Sequence, residues 1–200
     1  MQTALHKFTM LIERNRQLAS SVHLLKSQIT VDIDFSDIYR TQVVAAFSAL
    51  DFLVHETVKI GILEQFDGKR EKSNGYNDFV SNLNMPTNLC SKNEQRSWLE
   101  AETSRIHSWK SFQQSKKISD ALKKVVNPES FWNTIAIAFK TTSELVKKDL
   151  DIKVKRRNQI AHEGDINPTY GLLWDISSAD SEMIVDFVEK FGTEMIKILM

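Results

Sequence analysis

The stretch that decides the fold reads RRNQIAHEGD and runs from Arg156 to Asp165. Gly164 readily takes the left-handed conformation that closes a helix, and Pro168 lies just beyond it. Upstream, residues recur at steps of three and four, which places them on one face of a helix: Val146, Leu150, Val154, Arg157 and Ala161. We therefore predict a helix whose last turns lie in this stretch.

A permanently charged guanidinium, that of Arg157, falls within this otherwise apolar stripe. Asp51 occupies a similar position in the most hydrophobic predicted helix, where an unpaired carboxylate would be costly. Arg157 is our first candidate partner for Asp51, and Arg40 and His55 from the same helix are alternatives. From spacing alone, the favoured interpretation is that Arg157 anchors the bundle to a buried acid.

The composition limits the class of protein. The chain has 200 residues, which suits a single domain, 1–200, and its 26 basic and 26 acidic residues balance. This balance argues against broad non-specific binding to nucleic acid but permits local basic patches. The single cysteine, Cys90, excludes an intramolecular disulfide and fits a reducing compartment. Without a membrane span or a signal peptide in the sequence, we expect a cytoplasmic protein with no membrane partner.

The distribution of apolar residues predicts an all-α protein. Glycine and proline are scarce, and the only strand candidate is the segment 29–35. We predict an up-and-down helical bundle, with a less regular insertion or lid at about 66–114. The predicted helices are about 3–27, 37–64, 78–83, 93–109, 115–126, 131–139, one through the opening stretch and one ending near 199.

Residues in the opening stretch also suit RNA cleavage without a metal ion. This chemistry needs a group that moves protons near neutral pH, a role that fits His162. It also needs a fixed cation for the phosphorane charge, and the planar fork of Arg157 supplies one. Asn158, one turn below the imidazole, is placed to orient the ring or the phosphate. In this reaction the ribose 2′-hydroxyl attacks its own phosphate, leaving a 2′,3′-cyclic phosphate and a 5′-hydroxyl.

The hexapeptide RNQIAH, residues 157–162, resembles the Arg-Asn-x-x-Ala-His form of the R-x4-6-H motif of HEPN-domain proteins. Flanking segments are similar too, namely Ala45–Asp51 and Phe131-Trp132, and the chain most resembles the RiboL-PSP-HEPN branch. The resemblance implies an α-helical bundle that dimerises and joins two Arg–His motifs into one metal-independent endoribonuclease site. It also implies RNA as the partner and a role in bacterial antiviral defence or as a toxin.

One position departs from the toxin branch that pairs with nucleotidyltransferase antitoxins. That branch has a Tyr two residues after the motif His, where this chain has Gly164, so control through that tyrosine is not expected. Another antitoxin or regulatory partner remains open. Because some members of the superfamily have lost activity, the alternative is a non-catalytic module that binds RNA or a partner protein.

Basic residues that could bind RNA form two groups. The first consists of Arg105, Lys110, Lys116, Lys117, Lys123 and Lys124, and the second of Lys147, Lys148, Lys153, Lys155 and Arg156. Lys153 and Arg156 are our predicted RNA contacts, with a solvated helix face as the equal alternative. Trp98 and Trp109 could stack unpaired bases, although buried packing is the commoner use.

No sequence motif calls for a metal or another cofactor. The other histidines are scattered, and no cysteine or acidic cluster has metal-ligand spacing. A glycine-rich phosphate loop is also missing. We therefore predict no metal and no cofactor, with Glu163 and Asp165 as acids that are most often simply solvated at a helix end.

Overall fold

The structure is a computed structural model that describes all residues, 1–200. It contains eight α-helices and no strand, so the predicted all-α class is confirmed. The segment 29–35, the one strand candidate, connects two helices without pairing. The helices are α1 (Gln2–Gln28), α2 (Ser36–Asp67), α3 (Asn74–Ser81), α4 (Lys92–His107), α5 (Ser115–Leu122), α6 (Pro128–Phe139), α7 (Ser143–His162) and α8 (Ser178–Leu199).

Helix α2 is the central element of the bundle. It packs against α1, α4, α5, α7 and α8. Residues on several of its sides are completely buried, because a helix that is apolar around most of its circumference must be surrounded by other elements: Val43, Ala46, Phe47, Leu50, Leu53, Val54, Val58 and Ile62. Helix α8, near the other end of the chain, packs closely against α1 and α2 at Gly192, where an added Cβ would lie 2.5 Å from Phe8 and 2.9 Å from Leu53.

Five of the eight helices, α3, α4, α6, α7 and α8, begin with a side-chain cap. The sequence suggests Ser36 or Asp37 as the cap of α2 and Ser143 as the cap of α7, and the structure differs at both. Thr142, rather than Ser143, caps α7 by accepting a hydrogen bond from the backbone N–H of Leu145 at 3.3 Å. Before α2, Asp34 accepts from both the backbone and the hydroxyl of Ser36, whereas we predicted a cap at Ser36 or Asp37. In each case the oxygen that reaches the free N–H groups belongs to a neighbouring residue.

The predicted insertion contains α3, α4 and the connection to α5. We predicted a loop up to Gly75, but α3 begins at Asn74 because Ser73 caps it through the N–H of Tyr76. Gly75 is inside the helix for a packing reason, since an added Cβ would lie 2.2 Å from the carbonyl oxygen of Lys123. Helix α4 lies on α2 through Leu99, Thr103 and His107. None of the eight helices is long and apolar enough to cross a membrane.

Candidate functional site

The C-terminal end of α7 has the geometry that the sequence predicts. The helix ends at His162, and Gly164 takes the left-handed conformation with φ +65°. The backbone N–H groups of Glu163 and Asp165 both donate to the carbonyl oxygen of Gln159, at 3.1 and 2.9 Å. These two hydrogen bonds end the helix, and His162 lies on its last turn, exposed to solvent.

The three predicted catalytic side chains lie together in one chain. Nη1 of Arg157 donates to Oδ1 of Asn158 at 2.9 Å and contacts Nε2 of His162 at 3.3 Å. Because a guanidinium only donates, its hydrogen bond to the ring requires an unprotonated Nε2, and the neutral ring then carries its proton on Nδ1. Asn158 therefore orients the guanidinium, and the guanidinium in turn contacts the imidazole.

Arg157 lies at the rim of the core. Val146, Leu150 and Val154 are buried, whereas Arg157 is half-buried and Ala161 is exposed. The apolar stripe therefore ends one turn earlier than predicted, which explains why a guanidinium is tolerated there. Its Nε is buried without a hydrogen-bond partner, while Nη2 makes no hydrogen bond within the chain and remains available to an anion.

The predicted pair between Asp51 and Arg157 is wrong. The carboxylate of Asp51 accepts the backbone N–H of Phe112 and lies 3.9 Å from Nε2 of His55, which was one of the alternative partners. The physical reason is that a backbone N–H of the α4–α5 connection donates a hydrogen bond to Asp51, so the carboxylate is satisfied without a guanidinium. Asp51 therefore anchors this connection to α2 and does not support the side chains at the end of α7.

Asp165, which the sequence suggests is solvated, is instead a buried anchor. Its side chain is 2% exposed and accepts Nε of Arg40 at 2.7 Å, together with a two-point ion pair from Arg156. Arg40 also donates to the carbonyl oxygen of Trp174 at 2.7 Å. The only hint in the sequence is Arg40 itself, a cation within an apolar helix that needs a partner from elsewhere in the chain.

No group of three or more His, Cys, Asp or Glu side chains lies close enough together to hold a metal ion. The donors at the end of α7 are one guanidinium, one amide and one imidazole. Side chains of these three types can bind and polarise a phosphate and move a proton, which are the two operations that phosphodiester cleavage requires.

The sequence model of the RiboL-PSP-HEPN family matches residues 9–200. The chain belongs to this family. No curated protein and no solved structure matches the chain. The match covers nearly the whole chain and spans all of α2 to α8.

Two cations of this HEPN chain that we predicted to bind RNA already have partners within it. Lys153 forms an ion pair with Asp149 and lies over the ring of Phe187, 4.7 Å from the centroid. Arg156 is paired with Asp165, as described above. Their contact with RNA stays a prediction, and these internal pairs count against it because RNA would have to compete with a nearby carboxylate.

After Asp165 the HEPN chain forms a small hairpin, residues 166–174, beside the motif. Ile166 and Leu173 form an antiparallel bridge, and the N–H of Trp174 donates to the carbonyl oxygen of Asp165 at 2.8 Å. The hairpin, a few residues after His162 in sequence, exposes large apolar side chains that are not predicted because the segment reads as an ordinary loop: Ile166, Tyr170, Leu172, Leu173 and Trp174.

Proposed function

We propose that this HEPN protein is a metal-independent endoribonuclease that leaves a 2′,3′-cyclic phosphate and a 5′-hydroxyl. The observation that carries the proposal is the contact of Arg157 with both Asn158 and His162 at a solvent-exposed helix end. An anion binder and a proton acceptor are thereby adjacent. A merely structural arginine would be satisfied by an acid, as Arg40 is by Asp165.

In the proposed reaction, the unprotonated Nε2 of His162 accepts the proton of the ribose 2′-hydroxyl. The 2′-oxygen then forms a bond to phosphorus, the bond from phosphorus to the 5′-oxygen breaks, and the leaving 5′-oxygen takes up a proton. Arg157 binds the non-bridging oxygens and stabilises their increased charge in the phosphorane. Asn158 holds the guanidinium in place, so it is a positioning residue.

A homodimer with a composite site is part of the proposal. The motif of a single chain offers one imidazole, whereas the reaction uses a base at the 2′-oxygen and an acid at the 5′-oxygen. A second copy would supply the other imidazole. The exposed apolar hairpin 166–174, which follows the motif in sequence, supports this assembly, because clustered exposed apolar side chains are typical of protein interfaces.

The test is cleavage of a defined RNA by the purified protein in the presence of a metal chelator, with the new ends mapped. We expect cyclic-phosphate ends, and we expect His162→Ala to lower the rate by about 10²- to 10⁴-fold, the usual contribution of a positioned general acid or base. His23→Ala is the matched control, because His23 is an exposed histidine on α1. Equal cleavage by His162→Ala and His23→Ala would exclude the proposed site.

Binding of RNA without any cyclic-phosphate product would instead support the non-catalytic module. The proposed biological role, a bacterial defence or toxin effector held in check by an antitoxin or another regulator, has its own test. Induced expression of the wild type should slow growth and produce mapped RNA ends in cells, and expression of His162→Ala should do neither.

A further inference from the structure

A cleft of about 350 Å³ lies between the α4–α5 connection and α5, away from the helix end that carries the motif. Its charged and aromatic lining consists of Trp109, Lys110, Phe112, Lys117, Asp120 and Lys124. We refer to it as the Trp109 cleft. None of these side chains is used in the proposed cleavage reaction.

Trp109 presents its ring to solvent at the mouth of the cleft. Its side chain is 78% exposed, and Nζ of Lys110 lies 5.3 Å from the ring centroid. Tryptophan is seldom left this exposed without a ligand or partner, because its ring carries a large apolar surface. A flat aromatic ring beside a cation is the element with which proteins stack an unpaired base next to its phosphate.

The cations in the cleft exceed the acids. Lys110 and Lys117 form no ion pair, and Nζ of Lys124 donates only to the backbone carbonyl of Asp120, at 3.3 Å. The single acid, Asp120, lies 3.7 Å from Nζ of Lys123. Burial and the positive charges of Lys110 and Lys123 lower the pKa of Lys124 to about 8. An anion bound in the cleft would reduce this repulsion among like charges.

The cleft residue Lys117 lies two residues after Ser115, and Ser115 contacts α7. Asp151 of α7 accepts the N–H and the hydroxyl of Ser115, at 2.8 and 2.6 Å, which fixes the start of α5 against that helix. His162 follows Asp151 by 11 residues, or about three helical turns, so the two residues share one face roughly 16 Å apart. Lys155 and Asn158 occupy the turns between them.

Lys155 continues the positive charge along this face. It is exposed and forms no ion pair, unlike its neighbours Lys153 and Arg156. Cations without an ion pair are therefore present at Lys117 in the cleft, at Lys155 on α7 and at Arg157 in the motif.

We propose that single-stranded RNA binds along this face of α7, with a base stacked on Trp109 and its phosphates on Lys117 and Lys155. This path extends the substrate site beyond the residues that would react. The choice of RNA rests on the proposed function, whereas the surface itself is defined by its charge and its exposed ring. Lys153 and Arg156, our predicted RNA contacts, have no part in it.

The experiment measures binding of a fluorescently labelled 12-nucleotide RNA to full-length protein carrying His162→Ala, which keeps the RNA intact. Adding Trp109→Ala should weaken binding by about five- to a hundred-fold, the usual effect of losing one stacked base, and Trp109→Phe should retain most of the affinity. RNA should also quench tryptophan fluorescence in the His162→Ala protein and quench it less in the variant that also carries Trp109→Phe.

The charge argument has a matched pair of double variants. Lys117→Gln with Lys155→Gln should reduce the slope of log affinity against log salt by about 1.4, since each phosphate contact contributes about 0.7 for a single strand. Lys7→Gln with Lys190→Gln removes two exposed lysines from α1 and α8 and should leave the slope unchanged. The inference would be overturned if the two double variants had equal salt slopes and equal affinities and if Trp109→Ala left the affinity for RNA unchanged.

This result is separable from that of the proposed function. If the wild type cleaves RNA and Trp109→Ala binds it as tightly as the parent, only the path along α7 is wrong. If the wild type never cleaves RNA but the Trp109 and lysine variants lose affinity, the path holds and the nuclease proposal fails.

Discussion

At the scale of single residues, Asp165 has the largest structural consequence for the motif. It follows Gly164, takes a left-handed conformation with φ +57°, and carries the only carboxylate between the guanidiniums of Arg40 and Arg156. Removing one partner of a buried ion pair leaves an uncompensated charge, which costs far more than the intact pair contributes. Asp165 therefore ties α2, the end of α7 and the hairpin 166–174 together.

We expect Asp165→Asn to lower the free energy of unfolding by about 3 kcal/mol, measured by urea denaturation, because the buried guanidinium of Arg40 and the half-buried guanidinium of Arg156 lose the counter-charge that they share. Asparagine tolerates the left-handed backbone, so the loss reports charge rather than strain. Glu163→Gln, at an exposed acid two residues earlier, should change stability by less than about 0.5 kcal/mol. Similar values for the two variants would contradict the anchoring role.

Residues whose behaviour depends on nearby sequence were predictable, and those with distant partners were not. The left-handed Gly164 and the exposed His162 follow from local rules on helix ends. By contrast, Asp51 finds its partner at Phe112, 61 residues away, and Asp165 finds Arg40, 125 residues away. Single-sequence patterns indicate that a buried charge needs a partner, but the choice of partner depends on tertiary packing.

At the scale of the elements, α4 depends on a neutral histidine where it packs on α2. His107 is buried among the rings of His55, Phe79 and Phe112, and its Nε2 has no hydrogen-bond partner. Burial, followed by the charges of Lys124 and Lys110 and the proximity of His55, lowers the pKa of His107 to about 3. The imidazolium form is thus disfavoured in the folded protein.

The sign of the pH effect follows from this lowered pKa. Between pH 6.5, the ordinary pKa, and about pH 3, the unfolded chain binds a proton at His107 that the folded chain does not. The contribution of His107 to the free energy of unfolding is therefore fully present above pH 6.5. It is lost as the pH falls from 6.5 towards 3, by at most about 1.4 kcal/mol per pH unit.

Replacing His107 with Leu should remove this dependence, because leucine has a similar volume and does not titrate. Between pH 7 and pH 5, we expect the wild type to lose about 1–2 kcal/mol more unfolding free energy than His107→Leu, by urea denaturation at each pH. Acidic groups titrate in both proteins and cancel in the comparison. His6→Leu, at an exposed histidine, should follow the wild type; parallel pH profiles for all three would exclude a buried neutral His107.

Helix existence was largely predictable from periodicity, and helix boundaries were less so. Pro128 stands at the first turn of α6, as its fixed φ and missing N–H favour. The predicted helix at about 78–83 begins too late, because the close approach of Gly75 to the backbone of Lys123 has no local signature in the sequence. The same limit applies to the hairpin 166–174, whose single bridge follows from the Asp165 anchor rather than from strand patterning.

At the scale of the whole molecule, the hairpin is the feature least consistent with a protein that acts alone. Leu172 is 70% exposed and Tyr170 is 75% exposed, and both lie close in sequence to the motif. If they form the interface of the proposed dimer, Leu172→Glu should weaken self-association by at least about tenfold, since it buries a charge where an apolar side chain was. Light scattering across a concentration series measures this, with Leu24→Glu on α1 as the control.

A composite site makes a stronger prediction than dimerisation alone, because an inactive subunit then also lowers the activity of the wild-type subunit with which it pairs. Excess His162→Ala mixed with wild type should lower the wild-type cleavage rate, since a mixed dimer holds one imidazole where the reaction uses two. The double variant His162→Ala with Leu172→Glu should not inhibit, because it enters few mixed dimers. Should both inactive proteins leave the wild-type rate unchanged while subunits exchange freely, each chain would contain a complete site, and the hairpin would need another partner to explain its exposed apolar surface.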